Sequence, residues 1–216
     1  MTKISNVNVY GLAQSILRSG YPLRDHEISE AVFQSEINLI QQAIQDGDTT
    51  NPHIKRAISL ANAKGGGHDQ FLTGIIVQFD LSASLKCWPE LQRYHFLDFV
   101  SSMSTMHCVS KFKVRNCCNQ FVSEQVIATV ENLQEKYNGI PADHIDEKKS
   151  AYLELLYNMP SGFELTAGMT TNYRQLKTMY AQRRRQGEHR LPDWWYINDW
   201  IETLPLSNHL ITGGAQ

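Results

Sequence analysis

The sequence predicts an α+β fold in which helices surround a small, mostly antiparallel sheet. Segments with helical periodicity outnumber short runs rich in β-branched and aromatic residues, and turn residues separate the two kinds. The 216 residues contain no repeat, no low-complexity block and no linker long enough to divide domains. We therefore expect a single domain over residues 1–216.

Helices are predicted where apolar residues recur with a period near 3.6 between residues that start or stop a helix. Asn51-Pro52 is a typical start because proline is tolerated in the first turn, and Gly47 is a typical end. Thr171 is the expected cap of the helix that begins at Asn172. The predicted helices cover residues 27–46, 51–64, 89–103, 122–137, 145–159, 172–185 and, with three tryptophans, about 191–205.

Strands are predicted where the chain is rich in Ile, Val and Phe or alternates between two faces. Alternation would place Lys111, Lys113 and Arg115 on one face of a strand, either as a solvated edge or as a strip facing phosphate. Residues 1–26 are expected to be irregular. The predicted strands cover residues 71–81, 109–114 and 162–169.

Composition excludes several classes of protein. A net charge of −2 and a pI near 6.4 argue against a protein that coats duplex nucleic acid. There is no apolar stretch of about 18 residues, and the amino terminus lacks the pattern of a secretory signal, so we expect a cytoplasmic protein without a membrane span. The four cysteines lack metal-type spacing and are interpreted as unreactive thiols, with a nucleophilic cysteine as the alternative.

The helix predicted over residues 172–185 carries an unusual face. Successive helical residues turn by about 100°, so offsets of four, seven and eleven fall on one side. An ordinary core helix would have apolar residues at both ends of this face, whereas here the ends are an amide and a guanidinium about 16 Å apart. Arg183 is therefore interpreted as a ligand-facing side chain. The face consists of Asn172, Leu176, Met179 and Arg183.

Two further segments carry polar groups that suit a ligand. Gly65-Gly66-Gly67 would allow a ligand to approach the backbone closely just before His68, although a loop that ends a helix explains these glycines equally well. The segment from Gln92 to His107 offers amide, guanidinium, imidazole and hydroxyl groups, although a polar helix surface is the alternative. Its two histidines lack a third ligand at metal spacing, so no metal site is expected.

Together these stretches resemble the flavin-dependent thymidylate synthases, the ThyX family. That family has a Gly-His before an apolar strand, as Gly67-His68 stands here. Near its end it has Asn-x-Arg-x-Leu and an Arg seven residues after the Leu. The segment from Asn172 through Leu176 to Arg183 matches this element at its full spacing. The order agrees over residues 55–186, and the tryptophan helix lies outside the match.

The family's middle element, Gln-x-x-Arg-His-Arg and then Ser-x-Asn-Glu-x-Ser-x-Arg, is altered in this chain. With Gln92 in the place of the first Gln, His95 stands where the first Arg would be. Phe96-Leu97 replaces the following His-Arg. Within this element, only Gln92 and the hydroxyl group of Thr105 keep the side-chain chemistry of the family's residues.

The resemblance implies a homotetrameric flavoprotein that binds FAD between subunits and is reduced by NADPH. It implies transfer of a one-carbon unit from methylenetetrahydrofolate to C5 of deoxyuridylate (dUMP), without an enzymic cysteine nucleophile. Arg183 would bind the pyrimidine carbonyl and polarise the ring. The residues implied to bind the cofactor are His68, His95, Asn172, Thr178 and Gln182. The residues implied to bind the nucleotide are Gln92, Ser102, Ser104, Thr105, His107 and Arg174.

The altered middle element leaves other functions open. The substrate could be another pyrimidine nucleotide such as deoxycytidylate. A second hypothesis is a nucleotide-binding protein on the same scaffold that has lost catalysis and sequesters or senses its ligand. A third is an interaction protein that uses the tryptophan helix and binds no small molecule.

Overall fold

The computed structural model describes residues 1–63, 67–184 and 189–213. The described residues have an α+β fold, as predicted, with an antiparallel sheet whose strands are ordered β1-β2-β4-β3. Because β3 is at one end of this order, it is an edge strand. The strands are β1 (Lys3–Tyr10), β2 (Ile76–Ser84), β3 (Asp98–Ser102) and β4 (Glu164–Asn172).

Helices make up most of the remaining described chain, together with 3₁₀ turns at Tyr21–Leu23 and Gln70–Gly74. None of the helices in the described ranges combines the length and the apolar character that crossing a bilayer requires. The helices are α1 (Leu12–Arg18), α2 (Glu30–Gln45), α3 (Pro52–Ala61), α4 (Trp88–Leu91), α5 (Thr105–Cys108), α6 (Val114–Cys117), α7 (Glu124–Gly139), α8 (Ile145–Tyr157), α9 (Tyr173–Arg183), α10 (Asp193–Thr203) and α11 (Ser207–Leu210).

The chain forms two compact units, and each of the four strands contributes residues to both. The expectation of a single domain stays a prediction. The first unit contains Met1–Ser5, Asp80–Arg93 and Phe99–Met169. The second unit contains Asn6–Phe79, Tyr94–Asp98 and Thr170–Gln216.

The first unit is built around α7 and α8, both of which were predicted from periodicity. The two helices pack on each other and on the turns that precede them. Gln134 on α7 donates its amide hydrogens to the carbonyls of Val109 (2.9 Å) and Phe112 (2.8 Å), which fixes that turn. The buried cluster consists of Val109, Val114, Ile127, Val130 and Leu155.

In the second unit side chains cap the first turns of α2 and α3, and the predicted helix start at Asn51-Pro52 is confirmed. Ser29 accepts a hydrogen bond from the third residue of α2, and Asn51 accepts from the amides of His53 and Ile54 at the start of α3. Arg56 on α3 donates to the carbonyls of Ile16 and Leu17, which lie at the end of α1 where helical partners run out. The largest fully buried side chains of the second unit include Ile16, Leu17, Ile40, Ile54, Leu72, Tyr173 and Trp194.

The strand β4 continues directly into α9. Asn172 ends the strand and caps the helix, because its Oδ1 accepts a hydrogen bond from the amide of Gln175 at 2.9 Å. The expectation that Thr171 would be the cap was wrong. Thr171 is the preceding strand residue, and its hydroxyl donates to the carbonyl of Phe96 at 2.7 Å.

The expectation that residues 1–26 are irregular was also wrong, since β1 and α1 lie there. Asn6 explains why the strand is hard to recognise from the sequence. Its backbone has φ of +52°, so the extended chain is interrupted between Ile4 and Val7. The apolar residues therefore do not alternate with a period of two along the whole strand.

Two predictions in the middle of the chain were wrong for a tertiary reason. The helix expected over residues 89–103 is only α4, followed by turns and by β3. The strand expected over 109–114 is a turn between α5 and α6, with Lys111 and Lys113 exposed. In both segments the backbone is fixed by distant groups, such as the carbonyl of Thr166, which accepts from the amide of Met103 at 2.9 Å.

We expect Gly11→Ala to lower the free energy of unfolding by about 2 kcal/mol or more, measured by urea denaturation. Gly11 has φ of +72°, and a Cβ placed there would lie 2.6 Å from the carbonyl oxygen of Gly74. Gly47 provides the matched control, since its φ is +67° but a Cβ would meet nothing within 4 Å. Gly47→Ala should cost only about 1 kcal/mol. Equal losses in the two variants would contradict the importance of the close approach.

Candidate functional site

The guanidinium of Arg183 is half-buried at the end of α9 and is held by aromatic and polar partners. Its Nε donates to the hydroxyl of Tyr94 at 2.8 Å. Its Cζ lies 4.4 Å from the ring centroid of Trp194 and 5.6 Å from that of Tyr94, which places the cation against two ring faces. The guanidinium therefore occupies a defined position.

His189 is the third partner of Arg183. Nη1 of Arg183 lies 3.1 Å from Nε2 of His189, and the amide of Leu191 donates to Nδ1 of the same ring at 3.1 Å. Because a neutral imidazole accepts at only one nitrogen, these two donors compete for it. Nη1 is thus a donor of Arg183 that a ligand carbonyl could take over from His189, whereas Nε donates to Tyr94.

A cleft of about 530 Å³ opens beside this guanidinium. Asn198 lines this cleft from α10. It lies one helical turn after Trp194, whose fully buried ring lies beneath Arg183. Trp195 contributes an aromatic surface and donates its indole hydrogen to the carbonyl of His189. The residues that line the cleft are Arg183, Arg184, His189, Trp195, Tyr196, Asn198 and Asp199.

Arg184 forms ion pairs with two carboxylates of α10. Its guanidinium lies 3.0 Å from a carboxylate oxygen of Asp199 and 3.3 Å from one of Glu202. Glu202 also accepts a hydrogen bond from the hydroxyl of Tyr180 at 2.6 Å. Burial, reinforced by this bond to Glu202, raises the pKa of Tyr180 to about 12. Arg184 is exposed, and its ion pairs join α9 to α10.

The face of α9 that carries Asn172, Leu176, Met179 and Arg183 is buried except at Arg183, which is half-buried. Leu176 and Met179 are buried, and the two ends of the face, Asn172 and Arg183, lie at the two ends of the helix. Thr178 and Gln182 are exposed on other faces. The roles proposed for these residues stay predictions.

His68 lies in a loop that is tied to α9. The next residue, Asp69, pairs with Nε of Arg174 and with Nζ of Lys177, each at 3.2 Å. Gln70 accepts a second hydrogen bond from Arg174 at 2.7 Å. His68 itself is exposed, and Asp69 and Gln70 hold its loop next to Arg174, while the roles of His68 and Arg174 in binding stay predictions. The glycines at 65 and 66 lie outside the described residues.

The residues of the altered middle element belong to different parts of the structure. His95 is exposed on the short segment Tyr94–Asp98, which belongs to the same unit as α9. Gln175 helps to hold this segment, because its side-chain oxygen accepts from the amide of Phe96 at 3.4 Å. The other residues of the element belong to the first unit, where Ser104 and Thr105 are half-buried and Gln92, Ser102 and His107 are exposed.

Sequence reasoning did not find three of the residues that shape the cleft. From the sequence, Tyr94 was only a member of the polar segment from Gln92 to His107, and His189 was assigned no role. Asn198 was not considered. The signal for Asn198 is its place four residues after Trp194, which puts an amide on the inward face of an aromatic helix.

No cysteine lies in the lining of the cleft as described. Cys117 and Cys118 belong to the first unit, and burial raises the pKa of both thiols, that of Cys118 to about 11. A raised pKa keeps the thiol protonated and therefore unreactive.

The fold is similar to that of solved flavin-dependent thymidylate synthases. A thymidylate synthase X (ThyX) from Helicobacter pylori, solved with FAD and dUMP, superposes with a TM-score of 0.61 and 13% identity over all of both chains. A second structure of the enzyme from this organism, complexed with FAD and dUMP, gives a TM-score of 0.63 and 13% identity over 99% of this chain and 100% of the other. No protein-family model and no curated protein matches the sequence. The chain therefore has a ThyX-like scaffold.

We expect Cys118 in the folded protein to resist alkylation by iodoacetamide at pH 8. With a pKa of about 11, roughly one thiol in a thousand is ionised at that pH. Peptide mass spectrometry after timed labelling measures the modification. Labelling in urea is the control, because the unfolded thiol has an ordinary pKa near 8.5 and should react quickly. Fast labelling of the folded chain would show that the thiol is not protected.

Proposed function

We propose that the chain is a flavoprotein that transfers a one-carbon unit to C5 of a pyrimidine deoxynucleotide, with dUMP as the substrate. The position of Arg183 carries this proposal. The arginine that matches the family spacing lies beside a cleft of about 530 Å³, on a scaffold like that of enzymes solved with FAD and dUMP. A cleft of this size is within the range of small-molecule sites.

The cleft residues suit a planar heteroaromatic ligand. Trp195 and Tyr196 supply aromatic surface, and Arg183 supplies a donor that can approach a ring carbonyl in its plane. When bound, the flavin supplies the redox chemistry of the transfer, with NADPH as reductant and methylenetetrahydrofolate as one-carbon donor. The residues proposed to hold the flavin are His68, His95, Asn172, Thr178 and Gln182. Since the cap occupies Oδ1 of Asn172, its amide hydrogens would make the contact.

Arg183 is proposed to stabilise the negative charge that develops on the pyrimidine carbonyl oxygen. A donor contributes most when it needs no reorganisation during the reaction. The bond to Tyr94 and the stacking on Trp194 fix the guanidinium before a ligand arrives. Its Nη1 can then pass from His189 to the ligand.

The nucleotide is proposed to bind through Gln92, Ser102, Ser104, Thr105, His107 and Arg174. The hydroxyl and amide groups can bond to the sugar and phosphate oxygens. His107 is exposed and could replace a family arginine on the phosphate only when protonated. Arg174 already faces Asp69, so its net attraction for a phosphate is reduced.

A homo-oligomer, with the tetramer of the family as the model, is proposed from the surface of the first unit. The edge strand β3 carries Phe99 and Val100, which are 42% and 64% exposed, and Met103 and Met106 follow at 46% and 56%. An exposed edge with apolar side chains is unfavourable in an isolated molecule and typical of an association surface. We infer that another copy of the chain covers it.

We expect Val100→Asp to shift the protein from oligomer to monomer in sedimentation velocity. A charge buried in an apolar contact costs several kcal/mol unless it is paired. Lys111→Asp, an exposed position in the same unit, is the control and should leave the sedimentation coefficient unchanged. A wild-type protein that sediments as a monomer at micromolar concentration would contradict the oligomer.

We expect the purified protein to show a flavin absorption band and to release tritium from C5-labelled dUMP when NADPH and methylenetetrahydrofolate are supplied. Arg183→Lys should lower kcat by about 100-fold, because a lysine cannot reproduce the fixed fork of donors at the carbonyl. Arg115→Lys is the matched control, since Arg115 pairs with Glu124 and Glu131 on the surface of the first unit. It should retain full activity.

The second candidate is a nucleotide-binding protein that has lost catalysis. One observation favours it: the chain has no arginine between Arg93 and Arg115, where the family has several. Calorimetry with a panel of nucleotides in the absence of flavin distinguishes the two. Colourless protein that does not take up added FAD, yet binds a nucleotide tightly, would favour the second candidate. Protein that binds neither would reject both.

A further inference from the structure

The side chain of Asn198 is buried although its acceptor atom, Oδ1, accepts no hydrogen bond from the described residues. Asn198 lines the cleft from α10 and is 2% exposed. Its Oδ1 has no hydrogen-bond partner among the described residues. An unpartnered buried polar group costs about 1–3 kcal/mol. The fold therefore keeps an amide where a leucine would be more favourable for stability alone.

Asn198 lies close to Trp194, the residue on whose ring the guanidinium of Arg183 stacks. Trp194 and Asn198 are four residues apart on α10, a spacing that puts their Cβ atoms about 5–6 Å apart on one face. The guanidinium covers the ring of Trp194, with Cζ 4.4 Å from its centroid. Arg183 and Asn198 line the same cleft. The fixed donor thus lies over Trp194, the unpartnered acceptor belongs to the residue one helical turn further along α10, and both residues line one cleft.

This pair of groups matches one arrangement of atoms on a planar ring. A guanidinium only donates hydrogen bonds, and the side-chain oxygen of asparagine only accepts them. The ring must offer a carbonyl oxygen to the first and an N–H to the second, side by side. Such an imide edge is present in uracil and in the isoalloxazine ring of flavins. Cytosine lacks it, because its ring nitrogen at that position carries no hydrogen.

We propose that Asn198 is the specificity-determining residue of the cleft and accepts a hydrogen bond from the imide N–H of the heterocycle that Arg183 binds. This inference rests on the proposed function and extends it, because it selects uracil over cytosine at this site. The bound N–H satisfies Oδ1, so the cost of burying that atom is recovered only with the correct ring. An analogue without the N–H leaves the acceptor unpartnered.

The test compares ligands that carry the imide N–H with ligands that lack it. Kd is measured by calorimetry for dUMP, N3-methyl-dUMP and dCMP, and for riboflavin and N3-methylriboflavin. The wild-type protein should prefer the imide member of a pair by about tenfold or more, the equivalent of one hydrogen bond. In Asn198→Leu this preference should disappear. If the preference is lost among the dUMP analogues, uracil is the ring at this site. If it is lost between the two riboflavins, the flavin is.

Asn198→Leu has a readout of its own that shows whether the variant folds. Because it removes an unpartnered acceptor and keeps the number and branching of the side-chain heavy atoms, its Tm should be equal to or above that of the wild type. Asn38→Leu, an exposed position on α2, is the control and should leave every preference unchanged. A folded Asn198→Leu variant that still prefers the N–H ligands overturns the inference, and so does a wild-type preference for dCMP.

The outcomes separate this inference from the proposed function. Tritium release by the wild type together with unchanged preferences in Asn198→Leu would overturn the role of Asn198 alone. A wild type that binds none of the five ligands would overturn the proposed function and the inference together.

Discussion

A guanidinium that leaves bulk water loses hydration, and other groups have to replace the lost interactions. The groups that do so around Arg183 determine the rest of the cleft. Two aromatic ring faces and one hydroxyl group take the place of water around it. This arrangement requires the tryptophan helix α10 to lie against the end of α9. The same packing brings Asn198 and Trp195 to the cleft, so the binding surface follows from the way one charge is accommodated.

The fold could be predicted from the sequence where local signals decide the structure. Apolar residues at helical spacing, together with Gly47 and the start at Asn51-Pro52, located α2 and α3 to within a few residues. The helices α7 and α8 followed from periodicity in the same way. Positions 89–114 could not be predicted, because hydrogen bonds from β4 and from Gln134 fix that backbone. No property of the local sequence reports those partners.

The candidate site was predictable in part for the same reason. Arg183 was identified because its spacing from Asn172 is a property of one helix. Tyr94 and His189 come from other segments, and only the tertiary structure brings them to the guanidinium. The tryptophan helix had been interpreted as core or as an interface. Trp194 is indeed core, yet it also supports the one cation on which the site depends.

The uninterrupted passage from β4 into α9 limits how this sequence can change. Inserting or deleting one residue in the strand would exchange its two faces, and doing so in the helix would rotate everything after it by about 100°. Either event would move Arg183 off Trp194. A substitution that keeps the length of the segment has no such effect on the residues after it. In this part of the chain, the number of residues constrains the cleft more strictly than the identity of most of them.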